Sequence, residues 1–137
     1  MKHSVLVSLA TEGYLDQVRQ LFSGAYTHGG WRGDFLILTP GIPQPERAWF
    51  EQRGVLIHEC ENIFSDSEWA AISHNRMPSV VTLKFHLFSA YFRQWKNVLY
   101  LDADIIVRRS LAGLDSVHGL WAVQDYWDYS LERQLLP

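Results

Sequence analysis

The sequence predicts an α/β domain with a mostly parallel, doubly wound central sheet. Strand-like apolar runs alternate with segments of helical spacing along most of the 137 residues. This alternation is typical of βα units, in which helices cover both faces of a parallel sheet. No internal repeat, low-complexity tract or linker divides the chain, and its length suits one domain. We therefore expect residues 1–137 to be a single domain or part of one.

The first half of the chain contains short runs rich in Val, Ile and Leu, which are typical of buried strands. Between these runs, apolar residues recur at helical spacing, and glycine or proline follows both helices and the second strand. The predicted elements of this half are strands at residues 4–9, 34–39 and 55–58, a helix from Tyr14 to about Gly29, and a short helix at residues 45–53.

The second half begins with residues 59–78, which mix polar and aromatic side chains and predict no definite element. Residues 80–95 predict the clearest helix of the chain, with one apolar face. Strands are predicted at residues 97–101 and 120–123, which would be the fourth and fifth of the sheet. The apolar face of the predicted helix consists of Val81, Phe85, Phe88, Phe92 and Trp95.

Composition excludes several classes of protein. The formal net charge is −3 and no cluster of Lys or Arg stands out, so nucleic-acid binding is not expected. Cys60 is the only cysteine, which excludes an internal disulfide and suits a reducing cytoplasm. No run approaches the roughly 18 apolar residues of a transmembrane helix. We expect a cytoplasmic protein with at most peripheral membrane association.

Two carboxylates, Asp102 and Asp104, follow the predicted fourth strand directly. Because burying unpaired charges is costly, the pair belongs at a strand end rather than inside the sheet. Residues i and i+2 of a strand point to the same side, so both could bind one Mg²⁺ or Mn²⁺ ion. The alternative is a solvated turn, but apolar runs flank the pair on both sides, which favours metal binding.

Ligands of doubly wound sheets bind beyond the carboxyl ends of the strands, where the winding reverses. The first strand ends at Ala10 and Thr11, and the fourth ends at Asp102. If these two strands are neighbours, the two ends meet at one crevice.

Lys84 is unusual because it lies close to the apolar face of the predicted helix. At about 100° per residue it lies roughly 60° from the centre of that face. Its ammonium group could bind a diphosphate beside the metal, or could simply reach water over a buried stem. Arg76 could be a second such cation, or a solvated arginine.

The sequence resembles glycosyltransferase family 8, which includes glycogenin, bacterial lipopolysaccharide galactosyltransferases and galactinol synthases. The resemblance rests on KFHLF at residues 84–88 and on VLYLDADIIV at residues 98–107. VSLATEGY at residues 7–14 is also similar to the first strand and nucleotide loop of the family. The similarity covers most of residues 1–111.

The resemblance implies a GT-A-type, Rossmann-like domain that binds a nucleotide sugar. It implies a retaining transfer of a hexose, with a UDP-sugar as the expected donor, to a saccharide or other hydroxyl acceptor. Asp102 and Asp104 would bind Mn²⁺, or alternatively Mg²⁺, at the diphosphate, and the backbone of Ala103 would approach the ribose. The remaining substrate contacts implied by the resemblance are Leu9, Ala10, Thr11 and Tyr14 around the base, and Arg76 and Lys84 at the diphosphate and donor sugar.

Family members are longer, and a later H-x-x-G-x-x-K-like motif supplies a histidine metal ligand. The chain ends at Pro137, before such a motif. We therefore expect a C-terminally truncated nucleotide-binding half with an incomplete metal shell, for which His118 is not expected to substitute. A homo-oligomer is compatible with the sequence.

Two other functions remain open from the sequence. A haloacid-dehalogenase-like phosphatase also places a D-x-D motif after a buried strand, but the usual Gly-Thr turn is absent and the motif comes late in this chain. A non-catalytic module that binds a nucleotide or a partner is the third hypothesis.

Overall fold

Residues 2–73 and 78–123 are described by a computed structural model of the chain. Within these residues, four strands form one sheet, and every pair of neighbouring strands is parallel. This confirms the predicted α/β class and the parallel sheet. The elements are β1 (Lys2–Leu9), a 3₁₀ turn (Glu12–Tyr14), α1 (Leu15–Thr27), β2 (Asp34–Thr39), α2 (Gln44–Glu51), β3 (Val55–Glu59), α3 (Asp66–Ile72), two 3₁₀ helices (Ser79–Phe88 and Ala90–Gln94) and β4 (Trp95–Tyr100).

The strand order β3-β2-β1-β4 places the reversal of winding between β1 and β4. The chain moves from β1 to β2 to β3 in one direction and then returns to pair β4 with the other side of β1. Val5 shows the central position of β1, since it is in register with Asp34 of β2 and with Val98 of β4. The first and fourth strands are therefore neighbours in the sheet, as the crevice expected from the sequence requires.

Both faces of the sheet are covered, which explains why β1 is almost continuously apolar. On one face, Leu6 packs with α1 and with Phe50 of α2. On the other face, Val5 and Val7 pack with Leu83 of the 3₁₀ helix Ser79–Phe88. The helical connections therefore hold the sheet between two apolar clusters.

The prediction of an α-helix over residues 80–95 is wrong. That region forms the 3₁₀ helices Ser79–Phe88 and Ala90–Gln94, and β4 already begins at Trp95. A 3₁₀ helix has three residues per turn, so side chains spaced for an α-helix do not share one face. Phe85 and Phe88 are 61% and 70% exposed, whereas Leu83 is fully buried.

The predicted fifth strand at residues 120–123 is also wrong, because these residues form no strand. Leu120 is 82% exposed and Val123 is 92% exposed. A run of four apolar residues becomes a strand only if a neighbouring strand pairs with it and a surface covers it. Within residues 2–73 and 78–123, β4 has no partner on its outer edge.

The α3 helix lies in the region for which the sequence predicted no definite element. It begins with a capping box, in which Ser65 Oγ accepts the Glu68 backbone N–H at 3.3 Å. In return, the Ser65 backbone N–H donates to Glu68 Oε2 at 2.8 Å. Ser followed three residues later by Glu is the sequence signature of such a start.

Like α3, every helix in the described ranges is too short or too polar to cross a membrane.

Candidate functional site

The carboxyl ends of β1 and β4 form one edge of the sheet. Val7 of β1 is in register with Tyr100, the last residue of β4. The Leu101 N–H donates to the Val7 carbonyl at 3.0 Å, which extends the pairing by one residue. Asp102 follows immediately, so it emerges from the sheet beside the end of β1, at the point where the winding reverses.

Asp102, Lys84 and Tyr100 form a hydrogen-bonded cluster at this edge. Lys84 Nζ donates to Asp102 Oδ1 at 2.8 Å, and the Tyr100 hydroxyl donates to the same oxygen at 2.7 Å. Lys84 Nζ also lies 4.9 Å from the centre of the Tyr100 ring. The lysine that the sequence indicated therefore reaches the D-x-D motif, although its helix is of a different type from the one predicted.

The electrostatics of the cluster keep the carboxylate charged and the phenol protonated. Partial burial raises the pKa of Asp102, but hydrogen bonds from Lys84 and Tyr100 and the lysine charge lower it further, so the net pKa is below its ordinary value. Burial, the hydrogen bond to Asp102 and the charge of Asp102 raise the pKa of Tyr100 far above its ordinary value. At neutral pH, Tyr100 is thus a stable hydrogen-bond donor to an ionised Asp102.

Asp102 and Asp104 lie in a turn rather than on a strand. The Ile105 N–H donates to the Asp102 carbonyl at 3.1 Å and closes this turn. Both carboxylates are exposed, whereas the Ala103 side chain between them is 9% exposed and packs into the core on the α1 side. The two carboxylates are therefore anchored by the buried residue between them, and not by strand alternation.

The carboxylates of Asp102 and Asp104 suit a cation that prefers oxygen ligands and takes some of those ligands from the substrate. Residues 2–73 and 78–123 contain no group of three or more His, Cys, Asp or Glu side chains that could hold a metal. Mg²⁺ commonly binds through one or two carboxylates, with water and substrate phosphate as its other ligands. Asp102 and Asp104 fit this second kind of site.

The segment after β1 lies at the same edge of the sheet. Leu9 and Thr11 are partly buried, and Ala10 is buried with its N–H donating to the Leu38 carbonyl at 3.0 Å. Tyr14 closes the 3₁₀ turn Glu12–Tyr14 and is 55% exposed, so its ring is accessible for stacking. Arg76, the other cation indicated by the sequence, lies outside the described residues.

The sequence pattern did not identify Tyr100 as part of the site. The i, i+2 spacing of Tyr100 and Asp102 at the end of a predicted strand was the signal that could have found it, because such residues point to the same side. The pairing of Leu101 with Val7 continues the strand between them.

A cavity of about 430 Å³ lies elsewhere, at the amino-terminal end of the sheet, between Ser4, Trp31 and Leu111. Because the strands are parallel, this cavity is at the opposite end of the sheet from Asp102.

Residues 5–133 match the sequence profile of glycosyl transferase family 8. The chain belongs to this family. The match includes most of β1, the 3₁₀ helix Ser79–Phe88 that contains Lys84, and the D-x-D motif. The resemblance expected from the sequence is therefore confirmed. The match does not favour the phosphatase alternative. Comparison with curated proteins found no match.

Proposed function

We propose that this family 8 domain binds a nucleotide-sugar donor, expected to be a UDP-hexose, in the crevice between the ends of β1 and β4. The hexose would be transferred with retention to a saccharide or other hydroxyl acceptor. The observation that carries the proposal is the cluster of Lys84, Tyr100 and Asp102, with exposed Asp104 beside it, where the winding reverses. The hexose donor and the retaining outcome rest on membership of the family.

Asp102 and Asp104 would hold Mn²⁺, with Mg²⁺ as the alternative ion. When bound, the ion would stabilise the negative charge that develops on a departing nucleoside diphosphate. Lys84 brings a positive charge to within hydrogen-bond distance of Asp102, so a diphosphate at the ion would also lie near its ammonium group.

The base of the nucleotide would lie beside the segment that follows β1. Tyr14 supports this placement, since its ring is exposed at the same edge of the sheet as Asp102. Leu9, Ala10 and Thr11 would line the pocket, with buried Ala10 forming its floor. Stacking on an aromatic ring is a common way to hold a base.

Calorimetric titration with UDP, in the presence and absence of Mn²⁺, tests this proposal. We expect binding that requires Mn²⁺ and that weakens by roughly tenfold or more in Asp104→Ala, which corresponds to about 1.4 kcal/mol. Asp16→Ala is the matched control, because the Asp16 side chain is 91% exposed at the start of α1, on a different element. The control should bind UDP as tightly as the unsubstituted chain.

Other results would contradict the proposal. If UDP binds without Mn²⁺, or if Asp104→Ala binds UDP as tightly as the unsubstituted chain, the D-x-D motif does not act as a metal site. A phosphorylated Asp102 intermediate would instead indicate a phosphatase. Mn²⁺-dependent UDP binding without release of UDP from any UDP-hexose, with acceptors supplied, would indicate the non-catalytic module.

A further inference from the structure

The Tyr100 side chain connects the core of the domain to the D-x-D motif. Its ring packs against the apolar cluster that contains Val7 and Leu83, while its hydroxyl donates to Asp102 Oδ1 at 2.7 Å. Lys84 reaches the same oxygen, but through a long side chain that is 39% exposed. Of the two donors, the tyrosine is the more rigid, because a ring held by the core has few rotamers while lysine has many.

The two oxygens of the Asp102 carboxylate are in different situations. Oδ1 accepts hydrogen bonds from both Tyr100 and Lys84. Oδ2 has no hydrogen-bond partner among the residues that the structure describes. Hydrogen bonds to one oxygen restrict rotation of the carboxylate and leave the other oxygen available. In many proteins, hydrogen bonds from residues that do not themselves bind the metal orient the carboxylates that do.

We propose that Tyr100 is a positioning residue, whose hydroxyl holds Asp102 Oδ1 so that Oδ2 is presented to the divalent cation. The inference rests on the proposed function, since it requires a cation at Asp102. It also separates the roles of the two donors. A diphosphate offers Lys84 a stronger anionic partner than Asp102, whereas the Tyr100 hydroxyl stays on the carboxylate. The tyrosine therefore keeps Asp102 oriented after the donor has bound.

Tyr100→Phe removes the hydroxyl and keeps the ring that packs in the core and lies under Lys84. Binding of Mn²⁺ in the presence of UDP, followed by electron paramagnetic resonance, should weaken by about 10- to 100-fold. Tyr26→Phe is the matched control, because Tyr26 lies on α1, is 54% exposed and has its ring stacked on Arg32 at 4.4 Å. The control should bind Mn²⁺ like the unsubstituted chain.

A second measurement needs no metal and distinguishes positioning from general loosening of the fold. The carbon signal of the Asp102 side-chain carboxyl group, recorded by ¹³C nuclear magnetic resonance, should shift in Tyr100→Phe and not in Tyr26→Phe. Amide signals of α1 and β2 should stay in place in both variants, which shows that the fold is retained.

Failure of the inference and failure of the proposed function give different results. If Tyr100→Phe binds Mn²⁺ within about twofold of the unsubstituted chain while Asp102→Asn does not bind it, the positioning role is refuted and the metal site stands. If the unsubstituted chain itself binds no Mn²⁺ with UDP, both proposals are refuted.

Discussion

Leu83→Ala tests the 3₁₀ geometry that places Lys84 at the site. Leu83 is fully buried against the sheet, and it precedes Lys84 directly. Truncation of a buried leucine to alanine typically costs about 2–5 kcal/mol, since it removes packed atoms and leaves a cavity. In the alternative α-helical arrangement, Phe85 and Phe88 would also be buried, since both belong to the apolar face predicted from the sequence. Phe88 belongs to that face but is 70% exposed, so Phe88→Ala should cost about 0.5 kcal/mol or less.

Urea denaturation measures this difference. A loss of about 3 kcal/mol, with a slope of about 2 kcal/mol per molar urea, would lower the midpoint by about 1.5 M in Leu83→Ala. Intrinsic fluorescence reports the transition, because Trp31 and Trp95 are 3% and 4% exposed and become solvated on unfolding. Phe88→Ala serves as the control and should unfold near the midpoint of the unsubstituted chain. A larger loss in Phe88→Ala than in Leu83→Ala would refute the 3₁₀ assignment.

Two further predictions concern the start of β2. Gly33→Ala should destabilise the fold by about 1–3 kcal/mol, because a Cβ atom at that position would lie 2.5 Å from the backbone oxygen of Ser4. Gly13→Ala, where no atom lies within 4 Å, should be nearly neutral, and equal urea midpoints for the two variants would contradict the close approach. Burial raises the pKa of Asp34, but the hydrogen bond from Trp95 Nε1 at 2.7 Å and a neighbouring lysine lower it further, so the net pKa is below its ordinary value. This stabilisation is present above the ordinary pKa of about 3.9 and is lost as pH falls through the lowered value. Asp34→Asn should therefore lower the urea midpoint at pH 7, and the difference from the unsubstituted chain should shrink as the pH falls below the ordinary pKa.

Much of the fold could be predicted from local patterns. The four strands of the sheet were each indicated by an apolar run. In β1 and β2 the run reflects burial on both faces, which requires apolar residues at successive positions. The α1 helix was indicated by apolar residues at helical spacing, and its buried side chains include Val18, Leu21 and Ala25. In these segments the local pattern and the tertiary environment favour the same structure.

The segment between β3 and β4 could not be predicted in the same way. Phe85, Phe88 and Phe92 suit one face of an α-helix, but tertiary packing selects 3₁₀ geometry, which buries Leu83 and Phe92 and leaves Phe85 and Phe88 exposed. The local preference between the two helix types is small, so contacts with the sheet decide it. The capping box before α3 was a local signal that the sequence analysis missed.

The sequence by itself determined the two carboxylates and the lysine of the candidate site. It placed Asp102 and Asp104 after a strand, identified Lys84 as an unusual cation and indicated family 8. These features depend on the order of residues within short segments of the chain. Whether the individual residues bind metal and nucleotide stays a prediction.

Only the tertiary structure decided how the site is assembled. The strand order makes β1 and β4 neighbours, and thereby brings the end of each to one crevice. The packing of the 3₁₀ helix Ser79–Phe88 on the sheet directs Lys84 to Asp102, and the end of β4 adds the hydroxyl of Tyr100 to the same oxygen. The contact between Lys84 and Asp102 joins residues 18 positions apart. The neighbouring of β1 and β4 and the contact of Lys84 with Asp102 depend on which surfaces are buried together, and that is a property of the folded chain as a whole and not of any local segment.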